Sequence, residues 1–172
     1  MGAVALVATV IRIAIIPRQG LWADEIFSLA IATGHSLEQP ANQSRPELGD
    51  YYESPEPRPA SFYRTFLQND RGADFTRVTR AVFLSDTNPP LYYVLLHWWT
   101  LSFGTSDSSL RMFSAVWSLA TLAMVFLVGR RIGGFRTGII ASLIFAVAPQ
   151  ALFYSTEGRM YSLMWFLITA YA

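Results

Sequence analysis

An all-α, multi-span transmembrane helical bundle, with a long external first loop and a juxtamembrane interfacial helix, is the fold this sequence predicts. Three observations predict it. Of the 172 residues, 52% are hydrophobic and 15% charged, against about 25% charged in an ordinary soluble domain. The charges are also segregated: residues 18–87 hold seven Arg and ten Asp or Glu, whereas 88–172 hold five Arg and two acids. Finally, apolar stretches of helical length flank this polar middle, punctuated by Pro, Gly and Arg.

A helix needs roughly 20 residues to cross the hydrocarbon core. Residues 2–21 meet this, with Arg12 inside and Pro17 near the end. Arg12 is expected to snorkel or to face a neighbouring helix. The run lacks a basic leading region and a small-x-small cleavage site, so it reads as a retained anchor. Residues 109–129 form a second span and 137–154 a third, the latter interrupted by Pro149, which membrane helices tolerate. Residues 160–172 begin a further span that the chain's end leaves incomplete, so the sequence reads as the N-terminal part of a longer membrane protein.

Residues 89–103 are apolar and rich in Tyr and Trp, with His97 in the middle. They are short for a span, and aromatic residues suit the headgroup level. Orientation follows from Arg130, Arg131 and Arg136, a short acid-free basic loop expected on the cytoplasmic side. Residues 155–159 then fall outside, as does the loop 22–88, provided that 89–103 lies in the interface. A crossing 89–103 would instead put the arginine loop outside. Within the external loop, the prolines of 40–60 predict irregular backbone, and apolar spacing over 61–84 predicts a short amphipathic helix. Asn42-Gln43-Ser44 matches a glycosylation sequon of little weight.

Composition also excludes. With no cysteine there is neither a disulfide nor a thiolate metal site. A net charge of +1 argues against a nucleic-acid binder. His35 and His97 are the only histidines, so no histidine-based metal site is expected, and His97 reads as a side chain satisfied by its neighbours. Trp98, Trp99, Trp117 and Trp165 read as belt or packing residues.

Three polar-aromatic clusters lie at the ends of apolar stretches. They are Trp22-Ala23-Asp24-Glu25, then Asp86-Thr87-Asn88-Pro89-Pro90-Leu91-Tyr92-Tyr93, and finally Ser155-Thr156-Glu157-Gly158-Arg159-Met160-Tyr161. Ionisable groups at a membrane boundary are costly to desolvate and mark candidate sites. A plainer reading stands beside the sharp one. Asp24-Glu25 can cap the helix that follows, and Arg159 can anchor at the interface or pair with Glu157.

Together with Leu110-Arg111, these clusters resemble the GT-C superfamily of integral-membrane glycosyltransferases. The likeness is greatest to the branch of protein O-mannosyltransferases and lipid A aminoarabinose transferases. That branch carries an aromatic-x-Asp-Glu element after the first helix, a basic or polar residue before Pro-Pro, a Leu-Arg-rich second span and a Gln-Glu-Ala-Arg-x-Tyr element after the third. The resemblance covers nearly all of the chain except 35–80. It implies sugar transfer from a polyprenyl-phosphate donor to a lipid, glycan or protein acceptor on the outer face. It also implies a multi-pass protein among membrane lipids, in a bacterial plasma membrane.

By the same resemblance Asp24 is the catalytic base, and Glu25 orients the acceptor or the adjacent backbone. Arg159 is the candidate for the phosphate, since a guanidinium fork matches phosphate oxygens. Glu157, Tyr92, Tyr93 and Tyr161 are candidates for binding substrate. Many relatives carry Lys or His where this chain has Asn88, which can donate a hydrogen bond but brings no charge. No cofactor is implied; a divalent metal ion stays open, as its use differs between branches. Two other classes compete: a non-enzymatic transporter or assembly protein with an acidic external loop, and a lipid-phosphate enzyme such as a surface-polymer ligase. A transporter would place polar groups at the bilayer midplane, where this sequence offers little beyond Arg12.

Overall fold

The computed structural model describes every residue except 19, 38–43, 71, 86 and 87. Asp86, Thr87 and the sequon residue Asn42 therefore lie outside the described residues. Among the described residues the regular structure is helical: α1 Gly2–Ile15, α2 Ala23–Ala32, α3 Ala60–Arg64, α4 Phe75–Ser85, α5 Pro90–Phe103, α6 Asp107–Val147, α7 Pro149–Ser155 and α8 Tyr161–Tyr171. The chain divides into two units. A terminal unit comprises Met1–Gly20 with Arg111–Ala172, and a central unit comprises Leu21–Leu110.

In the terminal unit, α1 stops at Ile15, short of the expected residue 21. Pro17 brings no N–H to the ladder, and the chain tightens into a single 3-10 turn over Ile16–Arg18. Helix α6 is, among the described residues, the one helix long and apolar enough to cross a membrane by length and composition. Its backbone leaves helical geometry at Gly133 and Gly134, so it is two arms joined by a turn. Gly134 has φ +82°, a conformation that costs glycine little and other residues more. Across the turn the arms meet backbone to backbone. A Cβ on Gly129 would stand 3.0 Å from the Cα of Gly138, and one on Gly138 would stand 2.7 Å from the Phe126 carbonyl oxygen. Small residues are what such an approach demands. Arg130, Arg131 and Arg136 are all exposed around this turn.

The expected span 137–154 is helical only as far as Val147. Ala148 turns extended (ψ 127°) ahead of Pro149, and α7 starts afresh there. The core of this unit joins Val4 and Ala8 of α1 to Leu122 and Ala146 of the two α6 arms. Helix α8 closes on the same arms through aromatic contacts, Trp117 with Phe166 (5.1 Å between ring centroids) and Phe145 with Trp165 (5.9 Å).

The central unit is more ordered than a plain loop. Helix α2 packs against both α4 and α5, and α4 against α5. Leu29, Ala30, Ile31 and Ala32, four in a row, are all buried, as befits a helix covered on several sides. The helical pattern over 61–84 resolves into two helices rather than one. Between them Asp70 Oδ1 accepts the Gly72 N–H (2.9 Å), a local turn that competes with helix. Asp74 Oδ1 then accepts the Arg77 N–H (2.8 Å) and starts α4 in the manner of an N-cap. Over 90–103 the sequence and the structure agree on a helix, α5, about 21 Å long at 1.5 Å per residue.

Candidate functional site

Asp24 and Glu25 occupy the first turn of α2. There the partial positive charge of the helix N-terminus favours carboxylates. Successive helical residues point about 100° apart, and the two side chains meet different surroundings. Glu25 is buried (1% exposed) and its Oε2 accepts the Trp22 backbone N–H at 3.3 Å. This is the capping role foreseen as the plainer reading, and it belongs to Glu25. Asp24 is only half-buried, and its main-chain carbonyl accepts the Ser28 hydroxyl (2.9 Å). The geometry thus leaves Asp24 the more accessible of the two carboxylates.

Asn88 is half-buried and sits just ahead of Pro89 and the start of α5. Tyr92 and Tyr93, on the first turn of α5, are both buried and pack edge to face, with ring centroids 5.3 Å apart. The same helix packs on α2, and His97 Nδ1–H donates to the Ala32 carbonyl (2.9 Å). His97 is therefore engaged with main chain, as a packing histidine would be.

In the terminal unit Glu157 is buried, while Arg159 and Tyr161 are half-buried. The Arg159 N–H donates to the Glu157 carbonyl (2.8 Å), which closes a tight turn over Gly158. Ser114 of α6 donates to the Arg159 carbonyl (3.5 Å) and Ser162 to that of Tyr154 (2.8 Å). Tyr161 packs on Tyr154, ring centroids 4.7 Å apart. The candidates therefore divide by unit: Asp24, Glu25, Asn88, Tyr92 and Tyr93 in the central one, Glu157, Arg159 and Tyr161 in the terminal one.

Several engaged polar residues had no signal in the sequence. Asp50, wholly buried, takes a two-pronged ion pair from Arg80, with Arg80 Nη2 to Asp50 Oδ2 at 2.7 Å, and also accepts the Arg45 N–H (2.8 Å). Burial alone would raise this carboxyl, but the bonds from Arg80 and Arg45 hold it below its ordinary range. His35 Nδ1 lies 3.1 Å from Thr33 Oγ1, and its Nε2 lies 3.7 Å from Asp70, which Arg77 pairs at 2.7 Å. Burial, and then the nearby Arg77, push His35 down to about 4 against the opposing pull of Asp70.

Two arginines of the terminal unit were visible in the sequence, but their partners were not. Arg111 donates to the Ile16 carbonyl (3.2 Å) and the Gly20 carbonyl (2.8 Å), a cation at the C-terminal end of α1. Arg12 does not snorkel; it is fully buried and faces α6. Among the described residues no group of three or more His, Asp or Glu side chains is placed to hold a metal ion. Comparison with protein-family models, curated proteins and solved structures finds no match to this chain.

Proposed function

We propose that the chain forms part of a GT-C-like membrane glycosyltransferase, which moves a sugar from a polyprenyl-phosphate donor to an acceptor at the outer face of a membrane. The observation that carries this reading is the ordered set of motifs: Trp22-Ala23-Asp24-Glu25, Asn88-Pro89-Pro90, Leu110-Arg111 and Glu157-Gly158-Arg159-Met160-Tyr161. The different surroundings of the two carboxylates support it. Asp24 takes the proton of the acceptor hydroxyl, whose oxygen attacks the anomeric carbon. The bond from that carbon to the phosphate oxygen breaks, and polyprenyl phosphate leaves. Base catalysis needs an accessible carboxylate within hydrogen-bond reach, and half-buried Asp24 suits this better than Glu25, which serves the backbone of Trp22.

Arg159 offers a guanidinium to the leaving phosphate, whose developing charge needs such donors. Asn88, Tyr92, Tyr93, Glu157 and Tyr161 are assigned to substrate binding in the same reading. The protein is multi-pass, in a bacterial plasma membrane, with the exposed arginines around the α6 turn in the cytoplasm. Helix α5, too short at about 21 Å for a core of about 30 Å, lies at the outer interface. The test is sugar transfer by the full-length enzyme carrying Asp24→Asn. Turnover is expected to drop roughly 10²–10⁴-fold, the usual worth of a general base. Near-normal turnover would remove Asp24 from that role.

A further inference from the structure

Arg12 is a fully buried guanidinium that forms no salt bridge among the described residues. Its Nε donates to Ser118 Oγ (3.1 Å), and its Nη1 to the carbonyls of Ala8 (3.1 Å) and Ala146 (3.4 Å). Nη2 has no hydrogen-bond partner among the described residues. A methionine of similar reach would fill the site without desolvating a charge. Ionisable residues retained in such surroundings point to a task.

The partners identify the task. Helix α6 ends at Val147 because the chain turns extended at Ala148, ahead of Pro149. The last carbonyls of any helix lack intrahelical donors, and a cation placed there satisfies them and suits the helix dipole. Arg12 does this for Ala146 from a different helix, and its bond to Ser118 ties in the first arm of α6 as well. One side chain thus holds three segments together at the point where the chain breaks. From that break α7 runs to Ser155 and leads directly into the Glu157-Gly158-Arg159 turn, all within the terminal unit.

We propose that Arg12 is a positioning residue that fixes the Ala148 break, and so sets the direction in which α7 presents the Arg159 turn to a phosphate-bearing ligand. The ligand half of this proposal rests on the reading of Arg159 as the phosphate contact. The mechanical half does not.

The chain has no cysteine, so paired spin labels can be placed freely in the full-length protein in its membrane. Labels at Ile140 of α6 and Phe153 of α7, both exposed, report on the break. Labels at Leu127 and Ile140, also exposed, report on the two arms of α6. In the Arg12→Met variant the first distance distribution is expected to broaden while the second stays native. An unchanged first distribution overturns the proposal. If Arg12→Met also loses the second distance, the variant has misfolded and Ser118→Ala decides instead. That variant removes only the hydroxyl that accepts from Nε, and a native width across the break then overturns the proposal.

Affinity for polyprenyl monophosphate, the leaving group common to the whole donor class, reads the second half. It is expected to fall roughly tenfold in Arg12→Met, about 1.4 kcal/mol, and to recover in part in Arg12→Lys. A broadened break with undiminished affinity overturns the positioning role. If the unmodified protein does not bind this lipid phosphate at all, the glycosyltransferase reading fails, while the distances still decide the mechanical half.

Discussion

Taking the protein from pH 7 to pH 5 is expected to weaken the central unit through one buried side chain. Burial and the charge of Arg77 push His35 from 6.5 down to about 4. Its folded-state value is therefore depressed, and the sign follows from that. As the pH falls past about 6.5, an unfolded chain takes up a proton that the folded chain refuses until about 4. Stability is whole above the upper value and is lost progressively between the two. At pH 5, about 1.5 units into that window, the loss is roughly 2 kcal/mol. The carboxylates add nothing here. Asp50 and Asp70 are both held below their ordinary range by their arginines, in each case against the opposing effect of burial. Their stabilisation fades only as the pH drops well below 5. The assay is thermal unfolding at the two pH values, followed by tryptophan fluorescence, for the wild type and for His35→Gln. The wild-type midpoint should fall on the order of 10 °C further than that of the variant. An equal fall in both, or a wild type that gains stability at pH 5, would refute the argument.

Two further outcomes follow from the helical hairpin. Gly138→Leu would drive a side chain into the Phe126 carbonyl and ring, 2.7 and 3.0 Å from the position of its Cβ. It should cost about 1–3 kcal/mol as overpacking, measured as a lowered denaturation midpoint, whereas Ile132→Ala, at a largely exposed residue near the turn, should cost little. Single cysteines at Ala23, Ile132 and Thr156, labelled from outside intact cells with a membrane-impermeant maleimide, test the proposed topology. Ala23 and Thr156 should react and Ile132 should not; reactive Ile132 would invert the orientation.

What could be read in the sequence was what depends on near neighbours. The turn expected between the second and third spans falls where Gly133-Gly134 leave helical geometry, because a positive φ acts on the local backbone alone. The bounds of α5 came out within a residue for the same reason. Pro17 and Pro149, by contrast, stop a helix where the spans were expected to run on to 21 and 154. Long-range pairing left no such trace. Asp50 and Arg80 are thirty residues apart, and Arg12 reaches residues 106 and 134 positions away. Neither spacing has a period that a pattern could reveal. The pattern over 61–84 misled because apolar residues near helical spacing stand on both sides of the polar stretch 68–72, and in that stretch a bond from the Gly72 N–H to Asp70 makes a turn that separates two helices. At the candidate site the Asp24-Glu25 pair was plain in the sequence. Which of the two would be turned inward depended on how α2 is covered by its neighbours.

The bond from the Trp22 N–H to Glu25 has a consequence for exchange within the acidic pair. Reaching back three residues to the amide takes the full length of a glutamate, so aspartate at position 25 would be one methylene short. Glutamate at position 24 would carry its charge one methylene further from the helix. The order of the two acids is therefore a constraint in its own right. Reversing them leaves composition, net charge and local polarity untouched, yet it should damage the start of α2 and the reach of the outer carboxylate together. Chains that share this arrangement should keep aspartate first and glutamate second.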